Sequence, residues 1–195
     1  FGGYGFPESH AASFAILSYI SAWLKCHHPG AFFTSLLNSQ PMGFYSPSQL
    51  IQDAQRHGIN LLPIDVNQSQ WDHQLLSKRQ WRTIRLGFRL IKNLSHNGAV
   101  RITKASKEDF FISTTDLRER AQLDQKDMEA LAKADALKSI TGSRKNSIWE
   151  ILIPTPSHPL LEVIKNNNFL KSQTGIPSTN MMQDILEDYQ ATGLS

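Results

Sequence analysis

Apolar residues near the start of the chain recur at three- and four-residue steps: Ala12, Ile16, Tyr19, Ile20, Trp23 and Leu24. That spacing predicts a long helix with one wide apolar face turned into a core. Pro7 suits its first position, because the ring presets φ and an N–H there would be unpaired anyway. Glu8 falls in the positive end of the helix, where a carboxylate is favoured. Pro29 cannot continue the hydrogen-bond ladder and stops the helix. Upstream lies a glycine-rich turn holding Tyr4 and Phe6. It delivers Glu8, Ser9 and His10 onto a helix N-terminus, a place where polar side chains and backbone N–H groups can face an anion.

Residues 31–37 read as a second, shorter apolar helix, ended by Asn38-Ser39-Gln40-Pro41-Met42-Gly43. Ser46 is an N-cap for a third, with Pro47 at the first position and Gln49 completing a capping box. Leu50, Ile51 and Ala54 supply its buried side, and Gly58 its C-terminal stop. From residue 59 the pattern changes. Residues 61–67 read as a short extended segment, and residues 67–72 as a turn with a tryptophan anchor. Residues 83–88 alternate at period two, as a half-buried strand does. The main domain boundary is expected between residues 70 and 81.

Residues 88–140 divide into four short helices, forming two helix–turn–helix units in tandem. Leu90, Ile91 and Leu94 end the first, and Ser95 opens the second with Val100 and Ile102 packed inward. Thr114 or Thr115 caps the third. Asp124 caps the fourth, in which Met128, Leu131 and Leu137 are apolar and Asp127 takes the capping-box position. Ile153-Pro154-Thr155-Pro156-Ser157-His158-Pro159 reads as an extended linker. A turn-rich helix over 160–164 is broken by Asn166-Asn167-Asn168, and 181–191 forms a final helix with Ile185 and Tyr189 on one face.

Composition narrows the picture modestly. The chain has 195 residues, 40% hydrophobic and 19% charged, which is ordinary for a folded protein and argues against wholesale disorder. Twenty basic against 17 acidic residues leave a net charge of +3, compatible with a nucleic-acid partner without requiring one. A single cysteine, Cys26, excludes an internal disulfide, fits a reducing compartment and reads as a small buried thiol. Cys26-His27-His28 lacks a second ligand pair at metal-binding spacing. No apolar run approaches the roughly 20 residues that span a bilayer, and no leader suggests export. The chain opens on Phe1 in what reads as mid-domain sequence, so a fragment of a longer protein is expected.

Two stretches carry a resemblance. Tyr4-Gly5-Phe6-Pro7-Glu8-Ser9-His10-Ala11-Ala12 continues in Ala22-Trp23-Leu24-Lys25-Cys26-His27-His28-Pro29 and in residues 37–46. Together they resemble the fingers region of bacterial C-family DNA polymerases, which include the alpha subunits of DNA polymerase III. The spelling is closest to the error-prone, damage-tolerant branch. The match resumes at Asp188-Tyr189-Gln190-Ala191-Thr192-Gly193-Leu194-Ser195, a phrase that precedes an oligonucleotide-binding barrel in relatives. Replicative relatives carry lysine where this chain has Glu8, which implies a looser hold on the nucleotide.

The stretch Ile91-Lys92-Asn93-Leu94-Ser95-His96-Asn97-Gly98-Ala99 resembles the helix-hairpin-helix motif, whose turn usually reads glycine–hydrophobic–glycine. Backbone N–H groups of such a turn bind consecutive phosphates without reading bases. Here the glycines are replaced by Asn93 and Ser95. Asparagine tolerates the left-handed conformation and serine does so less well, so a distorted turn is expected. The second hairpin has no glycine and places Asp124 at the cap, where it repels phosphate and occupies N–H donors. It reads as mainly structural.

The resemblance implies a mainly α fragment. Residues 1–70 end the fingers, 71–87 are a connector with a short strand, 88–150 a tandem helix-hairpin-helix domain, and 151–195 a linker and helix toward a following barrel. It implies incoming-nucleotide contacts at Tyr4, Glu8, Ser9 and His10, and DNA-backbone contacts at Lys92, Asn93, Ser95, Asn97, Gly98 and Arg101. The parent activity implied is DNA-directed DNA synthesis across damaged template in the bacterial cytoplasm. Its Mg2+ ions sit on palm carboxylates outside this chain. That assignment agrees with the residues themselves, which include no Asp-x-Asp pair on a strand-like segment. Implied partners are primer–template duplex, deoxynucleoside triphosphate, a sliding clamp and accessory mutagenesis proteins, with no membrane. Two other readings stay open: a non-catalytic interaction module whose hairpins only pack, and a stand-alone repair enzyme.

Overall fold

Pro29 makes the first corner of the chain. The computed structural model describes residues 8–77, 80–152 and 181–194. Helix α1 (Glu8–His27) ends at His28, and α2 (Pro29–Asn38) starts with the proline at its first position. Helix α3 (Pro47–Arg56) opens with the full capping box: the Gln49 N–H donates to Ser46 Oγ at 3.3 Å and the Ser46 N–H to Gln49 Oε1 at 3.0 Å. Gly58, at φ +75°, ends it, a conformation that favours glycine.

Three short strands follow: β1 (Asn60–Leu62), β2 (Gln74–Leu76) and β3 (Thr83–Arg85). Their order is β1-β3-β2, with β1 parallel and β2 antiparallel to β3. Ile84 pairs across to Leu61 on one side and Leu75 on the other. The remainder is helical: a 3-10 turn (Phe88–Leu90), α4 (His96–Glu108), α5 (Thr114–Ala121), α6 (Gln125–Lys133), α7 (Lys138–Thr141), α8 (Arg144–Leu152) and α9 (Met181–Thr192). The mainly α class with a small sheet is therefore as expected.

The chain divides into two units. The described residues within Phe1–Pro63 and Asp72–Leu86 make the first, and those within Ile64–Trp71 and Gly87–Ser195 the second. The core of the first unit is Phe33, Ala54, Ile59 and Ile84, with Phe32, Leu61 and Leu75 packed against it. Gly30 permits the close approach of α2, since a Cβ there would collide with the Trp81 carbonyl. The Asn38 side chain ties the end of α2 to the sheet by bonding both the N–H and the carbonyl of His73, at 2.8 and 3.0 Å. In the second unit Val66, Phe88, Ile102, Leu117, Met128, Leu131 and Leu137 are fully buried. The Asn67 amide pairs with the Phe111 backbone in the same two-bond way.

Several expectations change. β3 is buried at all three positions rather than on alternate ones, because it is the central strand. Val100 is exposed: the buried stripe of α4 is Ala99, Ile102 and Ala105, and Val100 lies a 100° step away from Ala99. Ser113, not a threonine, caps α5. Cys26 is exposed.

The largest change concerns α1, which buries no residue. Ile16, Tyr19 and Trp23 are 61%, 72% and 45% exposed, so the periodicity is real but nothing among the described residues covers the face. The C-terminal end of α1 is held by Lys25, whose Nζ lies 2.7 Å from Asp53 Oδ2 of α3. The Gly-aromatic turn with Tyr4, the proline-spaced linker, and the helix expected over 160–164 with its break at Asn166-Asn167-Asn168 lie outside the described residues.

Burial predicts a contrast in stability. Phe33→Ala should cost about 3–5 kcal/mol, whereas Tyr19→Ala should stay within about 0.5 kcal/mol, both read by urea unfolding. The acid limb gives a second test. The hydrogen bond from Lys25 holds the Asp53 carboxyl below the usual carboxylate range, against an opposing contribution from burial. A depressed carboxyl contributes stability that is complete above the ordinary value of about 4 and lost as pH falls through the folded one. Asp53→Asn should therefore flatten the acid dependence of the first unit's stability below about pH 4 and leave neutral-pH behaviour little changed, since the pair is part-exposed.

Candidate nucleic-acid interface

Asn93 solves the first hairpin turn. It sits at φ +67°, in the left-handed region that asparagine tolerates better than most residues. Ser95 is not in that region at all: at φ −73°, ψ 139° it is an ordinary extended N-cap. The expected distortion is absent, because only one of the two replaced glycines stands where a positive φ is needed. The helix leading into this turn is shorter than expected, a single 3-10 turn. The N–H groups of Phe88 and Arg89 are bound instead by the carbonyls of Gln70 and Trp71.

The second hairpin repeats the design. Gln122 stands at φ 50°, ψ 50°, Leu123 is buried, and Asp124 caps α6. Asn93-Leu94-Ser95 and Gln122-Leu123-Asp124 are thus the same unit: a left-handed residue, a buried leucine and a cap. Neither turn contains glycine, so this repeat is legible only as a polar–Leu–cap phrase before each helix.

The two turns hold each other. Asp127, in the first turn of α6 and 2% exposed, accepts from the Ser95 N–H and the Ser95 hydroxyl, each at 2.8 Å. The Ser95 hydroxyl oxygen also accepts from the Gly98 N–H at 2.9 Å, so one side chain caps α4 and links it to α6. Gly98 is buried there, and a Cβ would collide with Asp127 Oδ2. In return Arg101 of α4 donates through Nε to the Ala121 carbonyl at 2.8 Å and through Nη2 to the Gln122 carbonyl at 3.1 Å, closing the end of α5. Asp127 is therefore an inter-hairpin acceptor, where the sequence suggested a capping-box partner of Asp124.

Lys92 has a similar duty toward α9. Its N–H donates to the Ala191 carbonyl at 3.0 Å, and its Nζ to the carbonyls of Tyr189 and Gln190 at 3.2 and 3.1 Å. A cation on the last carbonyls of a helix satisfies groups that otherwise lack partners. Farther along α9, Arg144 at the start of α8 donates to Glu187 Oε2 and the Asp184 carbonyl, both at 3.3 Å, and to Asp188. Burial pulls the Arg144 pKa down, but the hydrogen bond and charge of Asp188, with help from Glu187, more than offset it and the net direction is up. Burial pushes the Asp135 carboxyl up, with Arg144 and Lys138 opposing.

Of the residues singled out for DNA, then, Lys92, Ser95, Gly98 and Arg101 all bond within the protein, Lys92 and Ser95 while exposed, Arg101 half-buried and Gly98 buried; Asn93 and Asn97 are exposed at the turn. His96, which sequence reasoning did not single out, stands beside them with its ring edge-on to Trp71 at 4.6 Å. As the first helical residues of α4, His96 and Asn97 carry N–H groups with no partner within the helix. In the first unit Glu8, Ser9 and His10 are exposed at the start of α1, with the His10 ring edge-on to Phe14 at 4.5 Å. Tyr4 lies outside the described residues. Among those described, no three His, Cys, Asp or Glu side chains converge to hold a metal ion, and no helix is long and apolar enough to cross a membrane.

Comparison with known proteins agrees with this geometry. A family model described as a helix-hairpin-helix motif matches residues 58–147. The whole chain aligns at 44% identity with a protein of Methylococcus capsulatus, and at 47% with proteins of Saccharophagus degradans and Teredinibacter turnerae. Each of these relatives is named error-prone DNA polymerase, and the chain covers 20% of the first and 19% of the other two. It spans about a fifth of the length of the curated relatives it matches, and is homologous from end to end with a segment of them.

The reciprocal lock makes a thermodynamic prediction. Asp127→Ala should cost about 3 kcal/mol, because it strands two donors that now bond a charged group. Gly98→Ala should cost about 1–3 kcal/mol through overpacking, although alanine is the better helix former by about 1 kcal/mol. In the Asp127→Ala background the Gly98→Ala cost should fall without vanishing, because Ser95 Oγ would still stand 2.7 Å from the new Cβ; a double-mutant cycle in urea measures that coupling.

Proposed function

We propose that this chain is the part of a longer error-prone DNA polymerase that holds duplex DNA by its sugar–phosphate backbone, without reading bases. The observation that carries the reading is the pair of matched turns, at Asn93-Leu94-Ser95 and Gln122-Leu123-Asp124, fastened to each other by Asp127 and Arg101. Rigid turns that present helix N-termini suit phosphate, and phosphate contacts position a duplex without carrying sequence information. In this reading Asn93 and Asn97 face the backbone, and Ser95, Gly98, Lys92 and Arg101 hold the turns in place.

The start of α1, with Glu8, Ser9 and His10, faces the incoming deoxynucleoside triphosphate, and Tyr4 belongs to the same group. The whole polymerase joins a primer 3′ hydroxyl to the α-phosphorus of that nucleotide and releases pyrophosphate. Magnesium ions on carboxylates elsewhere in the longer chain supply the charge neutralisation that this transfer needs. The word error-prone in the relatives' names is what supports synthesis across damaged template. A bacterial cytoplasmic setting, a sliding clamp and accessory mutagenesis proteins complete the proposal for the whole enzyme.

Asn97→Asp separates grip from packing. A carboxylate in the first turn of α4 favours the helix by about 0.3–1 kcal/mol, so thermal stability should hold or rise. The same charge repels phosphate, and affinity for a mixed-sequence duplex at low salt should fall by about tenfold, a 1.4 kcal/mol effect. Unchanged duplex affinity in fluorescence anisotropy would favour the rival reading, in which the hairpins only pack.

A further inference from the structure

Beside the first hairpin turn, the second unit contains a cleft of about 380 Å³ walled by α6, α8 and α9. Resting on the duplex-binding reading above, we infer that Lys126 and Lys133 of α6, which line this cleft, are the cations that take the phosphodiester backbone of the DNA. The second hairpin thereby grips DNA through side chains, although Asp124 already occupies its cap.

Other cations around the turns are already committed within the protein. Lys92 and Arg101, the cations singled out around the first turn, have donors bound to carbonyls at the ends of α9 and α5. Arg144, also in the cleft wall, is buried and bound to Glu187 and Asp188. Lys126 is exposed and makes no ion pair among the described residues. Lys133 is 66% exposed and reaches Glu129 only at 3.9 Å, the kind of surface pair that is worth little. Glu129 is in turn bound by Gln125 Nε2 at 3.1 Å, so the carboxylate between the two lysines has other partners.

Position supports the assignment. Lys126 is the second helical residue after the cap Asp124, the place that Asn97 holds after Ser95 in the first hairpin. Lys133 follows seven residues later, two turns along the same face and about 10.5 Å up the helix axis. Asn93 of the first turn lines the same cleft. One strand can therefore meet a side chain from each hairpin within one surface. Between these polar groups Ala130 and Ile148 provide apolar wall, against which a sugar packs without loss.

The test is the salt dependence of duplex binding by this chain, since each phosphate that a cation no longer neutralises lowers the slope of log K against log salt by about 0.9. Lys126→Gln with Lys133→Gln should reduce the slope by about 2 and weaken binding several-fold at low salt. Lys126→Arg with Lys133→Arg should restore both. Lys104→Gln with Lys107→Gln, a matched removal of charge on exposed α4 positions, should change the slope little. Inorganic pyrophosphate at matched ionic strength should not displace the duplex, because the site is fitted to a polymer backbone. An unchanged slope in the α6 glutamine variant, an equal fall in the α4 control, or selective displacement by pyrophosphate would overturn the inference. If wild type binds duplex and Asn97→Asp weakens it while the α6 variant does not, the α6 assignment alone fails. Absence of duplex binding by wild type overturns both readings.

Discussion

Asp127 carries a carboxylate into the contact between two helix starts, where it accepts from the N–H and the hydroxyl of Ser95. Because the same hydroxyl caps α4, the beginning of one hairpin's second helix is set by a residue of the other's. Arg101 acts in the opposite direction, from α4 onto the end of α5. A buried carboxylate is costly unless each of its oxygens finds a donor. Ser95 meets that condition from both its backbone and its side chain, and Gly98 leaves room for it to do so. Remove the carboxylate and two donors are stranded, and the angle between the hairpins loses its determinant. Two turns that would otherwise be separate short motifs become one rigid surface.

Basic residues close to the first turn are drawn into bonds within the protein. Lys92 and Arg101 look like phosphate ligands in the sequence, yet their donors close the C-terminal ends of α9 and α5. Helix C-terminal ends carry partial negative charge and unpaired carbonyls, and so draw a neighbouring cation. Lys126, in the first turn of α6, lies at the opposite end of its helix from those carbonyls. Arg144, at 8% exposure, is held differently, by the Glu187 and Asp188 carboxylates of α9.

Much of the helical layout was legible where a local rule decides it. Ser46 with Gln49, Pro29, Gly58, Ser95 and Asp124 each act within a few residues, and each took the role its type and spacing suggested. Features that depend on distant partners were not legible. The exposed face of α1 has the periodicity of a buried helix, because periodicity reports which residues share a face and not whether anything covers it. β3 alternates like a half-buried strand, yet a central position in the sheet buries all three residues. Asp127 has the spacing of a capping-box partner for Asp124, and only the fold places Ser95 within its reach. Asn93 needed no glycine, since asparagine can take the left-handed turn at modest cost.

Amide hydrogen exchange of the chain, with and without mixed-sequence duplex DNA, tests the central claim most directly. If the hairpins form one backbone-gripping surface, protection should rise together over residues 93–97 and 122–127, for unrelated duplex sequences alike. Protection confined to one turn, found at neither, or dependent on the base sequence of the duplex would contradict the account.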